Sequence, residues 1–195
     1  MRLYLASASP RRRELMQLAG IPFEVDISDA EETMEGSPEE IARTNALRKA
    51  RAVLARHPDS LVLSADTVVY IPGEPGVLGK PKDEEDAVRM LRMLSGRENR
   101  VCTGVALCGP DFTEAETDCA SVYFDPMTED EIQSYVRTGE PMDKAGAYAV
   151  QGRASLFIRA VSGSPSCVIG LPMHLVSRML KAHGQPVLLS PTCPD

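Results

Sequence analysis

An aspartate stands in the middle of an apolar run, "LVLSADTVVY", residues 61–70. The length and β-branched content of that run predict a strand, and strand alternation puts Asp66 on one face with Val62, Ser64 and Val68. A carboxylate in a buried strand is costly unless it is paired or hydrogen-bonded. Asp66 is therefore either a structural residue satisfied by its neighbours, or a general base or metal ligand on a rigid scaffold. Open α/β sheets bind ligands at strand ends, which favours the second reading. The other anomaly is "LYLASASPRRREL" near the N-terminus. Ser9 and Pro10 have the form of an N-cap and first helical residue, so Arg11, Arg12 and Arg13 fall at the positive end of a helix dipole. Each cation there costs roughly a few tenths of a kcal/mol or more. The plain reading is three solvated side chains whose stems cover apolar surface. The functional reading is that free helix N–H groups and guanidinium forks together hold a phosphate chain.

Lysines recur where phosphates could be held: Lys49 in a long helical stretch, Lys80 in "LGKPK" and Lys144 in "EPMDKAG". Each alone is more simply a surface lysine. The acidic pair Glu31-Glu32 would ordinarily be solvated, but a carboxylate folded over a phosphate site can bind Mg²⁺, which takes one or two carboxylates plus phosphate oxygens. A cationic helix terminus, an in-sheet aspartate and a candidate magnesium carboxylate make up a kit for phosphoryl chemistry. Neither "PRRREL" nor "GVLGKP" matches a Walker loop. The three histidines show no zinc spacing, and a histidine-based triad is not indicated.

The elements that must position these groups alternate. Strands are predicted over residues 3–6, 23–27, 61–70, 99–107, 117–124 and 156–161. Helices are predicted over 10–19, from the capping box at Ser37–Glu40 to about Arg56, from Asp83 through Leu94, from Thr128 through Val136, and in "GLPMHLVSRMLKAHG". The segment "CGPDFTEAE" should join the fourth and fifth strands as a hairpin or meander. A hairpin among helical crossovers implies an α/β fold with a mixed sheet. The 195 residues suffice for one core, read as a single domain over 1–184 with a loose tail over 185–195. Net charge is −7, which argues against a nucleic-acid or anionic-membrane binder. No run approaches a membrane span and no signal peptide is recognisable, so a cytoplasmic protein is expected. Five cysteines without a C-x-x-C pair are expected to be reduced thiols.

"LYLASASPRRREL", "SADTVV", "LGKP", "LSGRENRVCTGV", "EPMDKAGAYAVQG" and "GLP" stand in the order and spacing of a known family. Over residues 3–182 the chain resembles the Maf-like nucleoside triphosphate pyrophosphatases, and "DKAGAYAVQG" is similar to the subgroup acting on dTTP and UTP. The resemblance implies an elongated central mixed sheet flanked by helices, two lobes with a cleft, a relation to inosine triphosphatases and a homodimer. It also implies hydrolysis of a nucleoside triphosphate to the monophosphate and pyrophosphate with a divalent cation: Mg²⁺, or Mn²⁺ or Co²⁺ in its place. On that resemblance Asp66 is the proton acceptor, with Glu32 and Lys80 as further catalytic residues. Arg11, Thr67 and Gln151 correspond to specificity positions, and Ser7, Arg12, Lys49 and Lys80 to phosphate-site positions. Glu32 and Asp66 are the candidate metal ligands. The chain departs from the family's frequent "LAxxKA" with "TNALRKA", where only packing is expected to differ, and from "AYGIQG" with "AYAVQG". The alternatives are a nucleotide-binding regulator of septum formation with little turnover, and a nucleotidyltransferase. The set of Asp66, Glu32 and lysines argues against the first, and the lack of an N-terminal G-x-G loop against the second.

Overall fold

The computed structural model describes residues 1–187, so most of the expected tail, residues 188–195, lies outside the described residues. Val187, at the start of that tail, packs against the core. The chain order is β1 (Leu3–Leu5), α1 (Pro10–Leu18), β2 (Glu24–Val25), α2 (Pro38–Leu54), β3 (Leu61–Tyr70), α3 (Glu84–Leu94), β4 (Glu98–Gly109) and β5 (Phe112–Phe124). There follow α4 (Glu129–Val136), three short 3₁₀ turns, β6 (Ile158–Ser162), α5 (Pro165–Ile169) and α6 (Met173–Ala182). One six-stranded sheet runs β2-β1-β3-β4-β5-β6. The first three strands are parallel, as helical crossovers demand, and β3 to β6 are antiparallel. The expected mixed α/β sheet is therefore present.

Capping residues set the helix starts. Ser37 and Glu40 exchange side-chain bonds across the first turn of α2, and Thr128 and Glu131 do the same on α4. Helix α2 lies directly on β3 and β4 through its small residues Ala42, Ala46 and Ala50, all fully buried. That approach requires Gly104 on β4, where a Cβ would stand 2.3 Å from the Ala42 carbonyl carbon. The opposite face of the sheet carries α1 and α6 over Leu63, Ala65 and Val105, and α3 and α4 over Val69 and Val101.

Two expectations change. The connection expected across residues 108–116 is strand almost throughout: Gly109 pairs with Phe112, so Pro110 and Asp111 alone make the turn. With that register Cys102 faces Cys119 and the two form a disulfide, which corrects the expectation of reduced thiols. Cross-strand register, not short C-x-x-C spacing, brings this pair together. Cys108 and Cys167 are buried free thiols. No helix among the described residues is long and apolar enough to cross a membrane.

Candidate active site

A notch in the sheet creates the site. Strand β1 has three residues and β3 has ten, and they pair only from Leu3–Leu61 to Leu5–Leu63. Beyond Leu63 the chain of β1 leaves the sheet and turns into α1. The second half of β3 then has β4 on one side and, on the other, only an isolated bridge from Val69 to Leu78 among the described residues. Asp66 and Thr67 lie in the gap between, where a cleft of about 630 Å³ opens. Ser7, Arg11, Arg12, Glu32, Lys49, Asp66, Thr67, Lys80 and Gln151 all line this cleft. All nine candidate residues thus come together, from six separate stretches of chain.

On the α2 side the floor is made of charge. Lys49 places its ammonium 2.6 Å from Asp66 Oδ1 and 2.6 Å from Glu32 Oε1. Asp66 is 7% exposed, and its second oxygen, Oδ2, accepts from Asn45 Nδ2 at 3.1 Å. Burial works to raise the pKa of Glu32. The hydrogen bond and charge of Lys49, with Lys80 and Arg12 behind it, outweigh burial and hold the carboxyl below its ordinary value. Two carboxylates converging on one ammonium form a hard oxygen donor set, which suits Mg²⁺ or Mn²⁺. The candidate ligands Glu32 and Asp66 therefore fit a divalent cation in donor chemistry.

The three arginines separate into three situations. Arg11 crosses the cleft to Asp143 at 3.0 Å. Burial works to raise the Asp143 pKa, but Lys144 and Arg11 reverse this and keep it ionised. Arg12 is committed to the fold: Nε donates to the Gly170 carbonyl (2.7 Å), Nη1 to Ser7 (3.1 Å) and Nη2 to Thr67 (3.1 Å). Burial lowers its pKa against the opposing pull of Asp66, yet a guanidinium stays charged in proteins. Three of its five N–H groups are used, leaving two for a ligand. Thr103 donates to the Cys167 carbonyl at 2.9 Å, so Thr67 must donate to Thr103 at 3.0 Å while accepting from Arg12. Arg13 is half-buried, with no ion pair among the described residues.

The far wall is the segment after α4. Lys144 donates to the Glu140 carbonyl at 2.6 Å and to Asp143 at 2.5 Å. Gly146 (φ 71°) and Ala147 (φ 61°) are both left-handed, an unfavourable conformation for alanine, and Ala147 is fully buried. Gly146 N–H donates to the Gly79 carbonyl, tying this wall to the loop that carries Lys80. Tyr148 is anchored below by its hydroxyl on buried Asn99. Lys80 and Gln151 remain exposed at the rim.

Sequence reasoning missed Asn45, Asp143 and the Gly170 carbonyl. The expectation that "TNALRKA" alters only packing is corrected, because Asn45 hydrogen-bonds Asp66 rather than filling apolar space. A polar residue on the inward side of a helix, one turn before Lys49, was the available signal.

The family model described as "Maf-like protein" matches residues 2–183. A dTTP/UTP pyrophosphatase of Symbiobacterium thermophilum is 49% identical over 187 residues, covering 95% of each chain. Proteins of the same name from a Geobacillus species and from Bacillus velezensis are 46% and 48% identical, covering 93% and 92% of this chain and 98% and 95% of theirs.

Proposed function

The chain belongs to the Maf-like protein family, and on that premise we propose that it is a nucleoside triphosphate pyrophosphatase acting on dTTP and UTP. It splits the bond between the α- and β-phosphates, and water adds to give the nucleoside monophosphate and pyrophosphate. The observation that carries this reading is the convergence of Asp66 and Glu32 on Lys49 beside a cation-lined cleft.

In this reading the triphosphate lies over the start of α1, where helix N–H groups, Arg11 and the two uncommitted N–H groups of Arg12 meet its charge. Lys80 reaches it from the rim. Asp66, held by Lys49 and Asn45, accepts the proton of the attacking water. A divalent cation held by Glu32 and Asp66 would supply charge neutralisation on the phosphate oxygens. Ser7 helps to seat the phosphates, and Thr67, Gln151 and Arg11 bound the space that the base must fit. The reading further places the protein in the cytoplasm and as a homodimer, the latter checked by sedimentation of the purified chain.

A product assay tests the activity. The purified chain with Mg²⁺ is offered dTTP, UTP, CTP, GTP, ATP and 7-methyl-GTP separately, and pyrophosphate is scored against orthophosphate. Pyrophosphate from dTTP and UTP above the rest is expected. Triphosphate binding without turnover would overturn the enzyme reading in favour of a nucleotide-binding regulator.

A further inference from the structure

We infer that Asn45 is a positioning residue that sets the two carboxylates converging on Lys49, an inference that rests on the pyrophosphatase reading of that cleft. Asn45 is 1% exposed, on the sheet-facing side of α2 and four residues before Lys49. Residues four apart share a helix face, so one face of α2 presents an amide and an ammonium side by side to β3. A buried primary amide needs partners for two N–H groups and a carbonyl. Asn45 has all of them: Nδ2 donates to Asp66 Oδ2 at 3.1 Å and to the Thr33 carbonyl at 3.0 Å, and Oδ1 accepts from Thr33 N–H at 2.7 Å. The Thr33 N–H can bond only to the oxygen, so the network itself fixes which way the amide points.

Two consequences meet at one side chain. Rotation of an aspartate carboxylate about its last bond is broad and roughly two-fold, so a single partner leaves its plane loosely set. Lys49 takes Oδ1 and Asn45 takes Oδ2, which fixes the plane of the Asp66 carboxylate and leaves a lone pair on each oxygen for water. Asn45 also grips both polar groups of the Thr33 backbone, the residue directly after Glu32. Glu32 lies on the long connection between β2 and α2, and this grip holds its carboxylate on the other side of Lys49. The separation of the two carboxylates therefore depends on one amide. A leucine there has the same branching, is bulkier, and supplies none of the three bonds.

The test uses the full-length chain and its Asn45→Leu and Asn45→Ala variants, the second covering the case in which leucine fails to pack. Four quantities are read: kcat and KM for dTTP, affinity for a non-hydrolysable α,β-imido analogue, melting temperature, and hydrogen exchange at the Thr33 amide. Loss of a charge-assisted bond to the base is expected to lower kcat by roughly tenfold to a hundredfold. KM and analogue affinity should stay within about threefold, since Asn45 does not itself hold the phosphates in this reading. The Thr33 amide should exchange faster in both variants. Unchanged kcat would overturn the inference, as would a loss of kcat matched by equal losses of analogue affinity and folded stability. If the unsubstituted chain released no pyrophosphate from any nucleotide, the functional reading would fall, and with it the catalytic part of the inference. Unchanged Thr33 exchange would instead remove the loop joint while leaving the activity standing.

Discussion

Two neighbouring arginines illustrate how placement divides the work between binding and folding. Arg11 pairs with Asp143, which is 60% exposed, across open cleft, a geometry worth about 0–1 kcal/mol to stability. Arg12 bonds Ser7, Thr67 and Gly170, joining the ends of β1 and α5 to the middle of β3. Arg11→Ala should therefore raise KM for the triphosphate with little change in the urea midpoint. Arg12→Ala should lose about 2–4 kcal/mol, because it removes three hydrogen bonds at once and leaves the buried Gly170 carbonyl without its guanidinium donor. Urea titration of both variants separates the cases, and equal stability losses would show that Arg11 is also structural. At Asp66 the expectation is different again. Asp66→Asn keeps the shape but removes the proton acceptor and leaves one oxygen where Lys49 and Asn45 now share two, so turnover should fall by about 10²–10⁴ while analogue binding persists. Near-normal turnover in that variant would take the role of base away from Asp66.

Helix α2 is the element through which the site and the sheet are coupled. Its Ala42, Ala46 and Ala50 allow it to touch β3 and β4, and the same face then delivers Asn45 and Lys49 to Asp66. Gly104→Ala would drive a methyl group to within 2.3 Å of the Ala42 carbonyl, so the helix must lift. The expected cost is about 1–3 kcal/mol of stability, together with a loss of turnover from a residue that touches no substrate. Full activity in a destabilised Gly104→Ala variant would show that α2 can lift without moving Lys49. The capped starts of α2 and α4 and the buried stripe of α6 were legible in sequence, because caps and periodicity are local signals. The β4–β5 hairpin was legible as a connection, but the reach of its strands was not, because Gly109 and Pro110 read as a loop although the pairing continues to Gly109–Phe112. The Cys102–Cys119 disulfide was lost with it, since only the register places those cysteines opposite one another. The residues of the cleft were legible through their motifs, but Asn45 was not, since its partners lie 12 and 21 residues away.

Across the whole molecule, Lys and Arg number 21 against 28 Asp and Glu, so many acids must find partners or remain solvated. Several are held below the ordinary carboxylate range by specific contacts. Asp26 is lowered by hydrogen bonds from Arg56 and His57. Glu129 is pulled down to about 2 by Arg92 and Gln133. In Glu32 and Asp143 burial acts upward, and their cationic partners overcome it. A carboxylate with a lower pKa folded than unfolded binds fewer protons in the folded state, so stability rises with pH across that interval. Its contribution is complete above the unfolded value of about 4 and is lost as pH falls through the folded value. The urea midpoint should therefore be flat from about pH 7 to 5 on the carboxylate side and drop steadily below about 4. Because Glu129 is held down to about 2, Glu129→Gln should flatten the strongly acidic part of that drop. A midpoint that held constant down to pH 3 would mean that these contacts persist in the unfolded chain or do not form in solution. High salt offers a further check on the exposed Arg92–Glu129 pair: screening should shrink its share, while the Lys49 contacts, shielded beside α2, should persist.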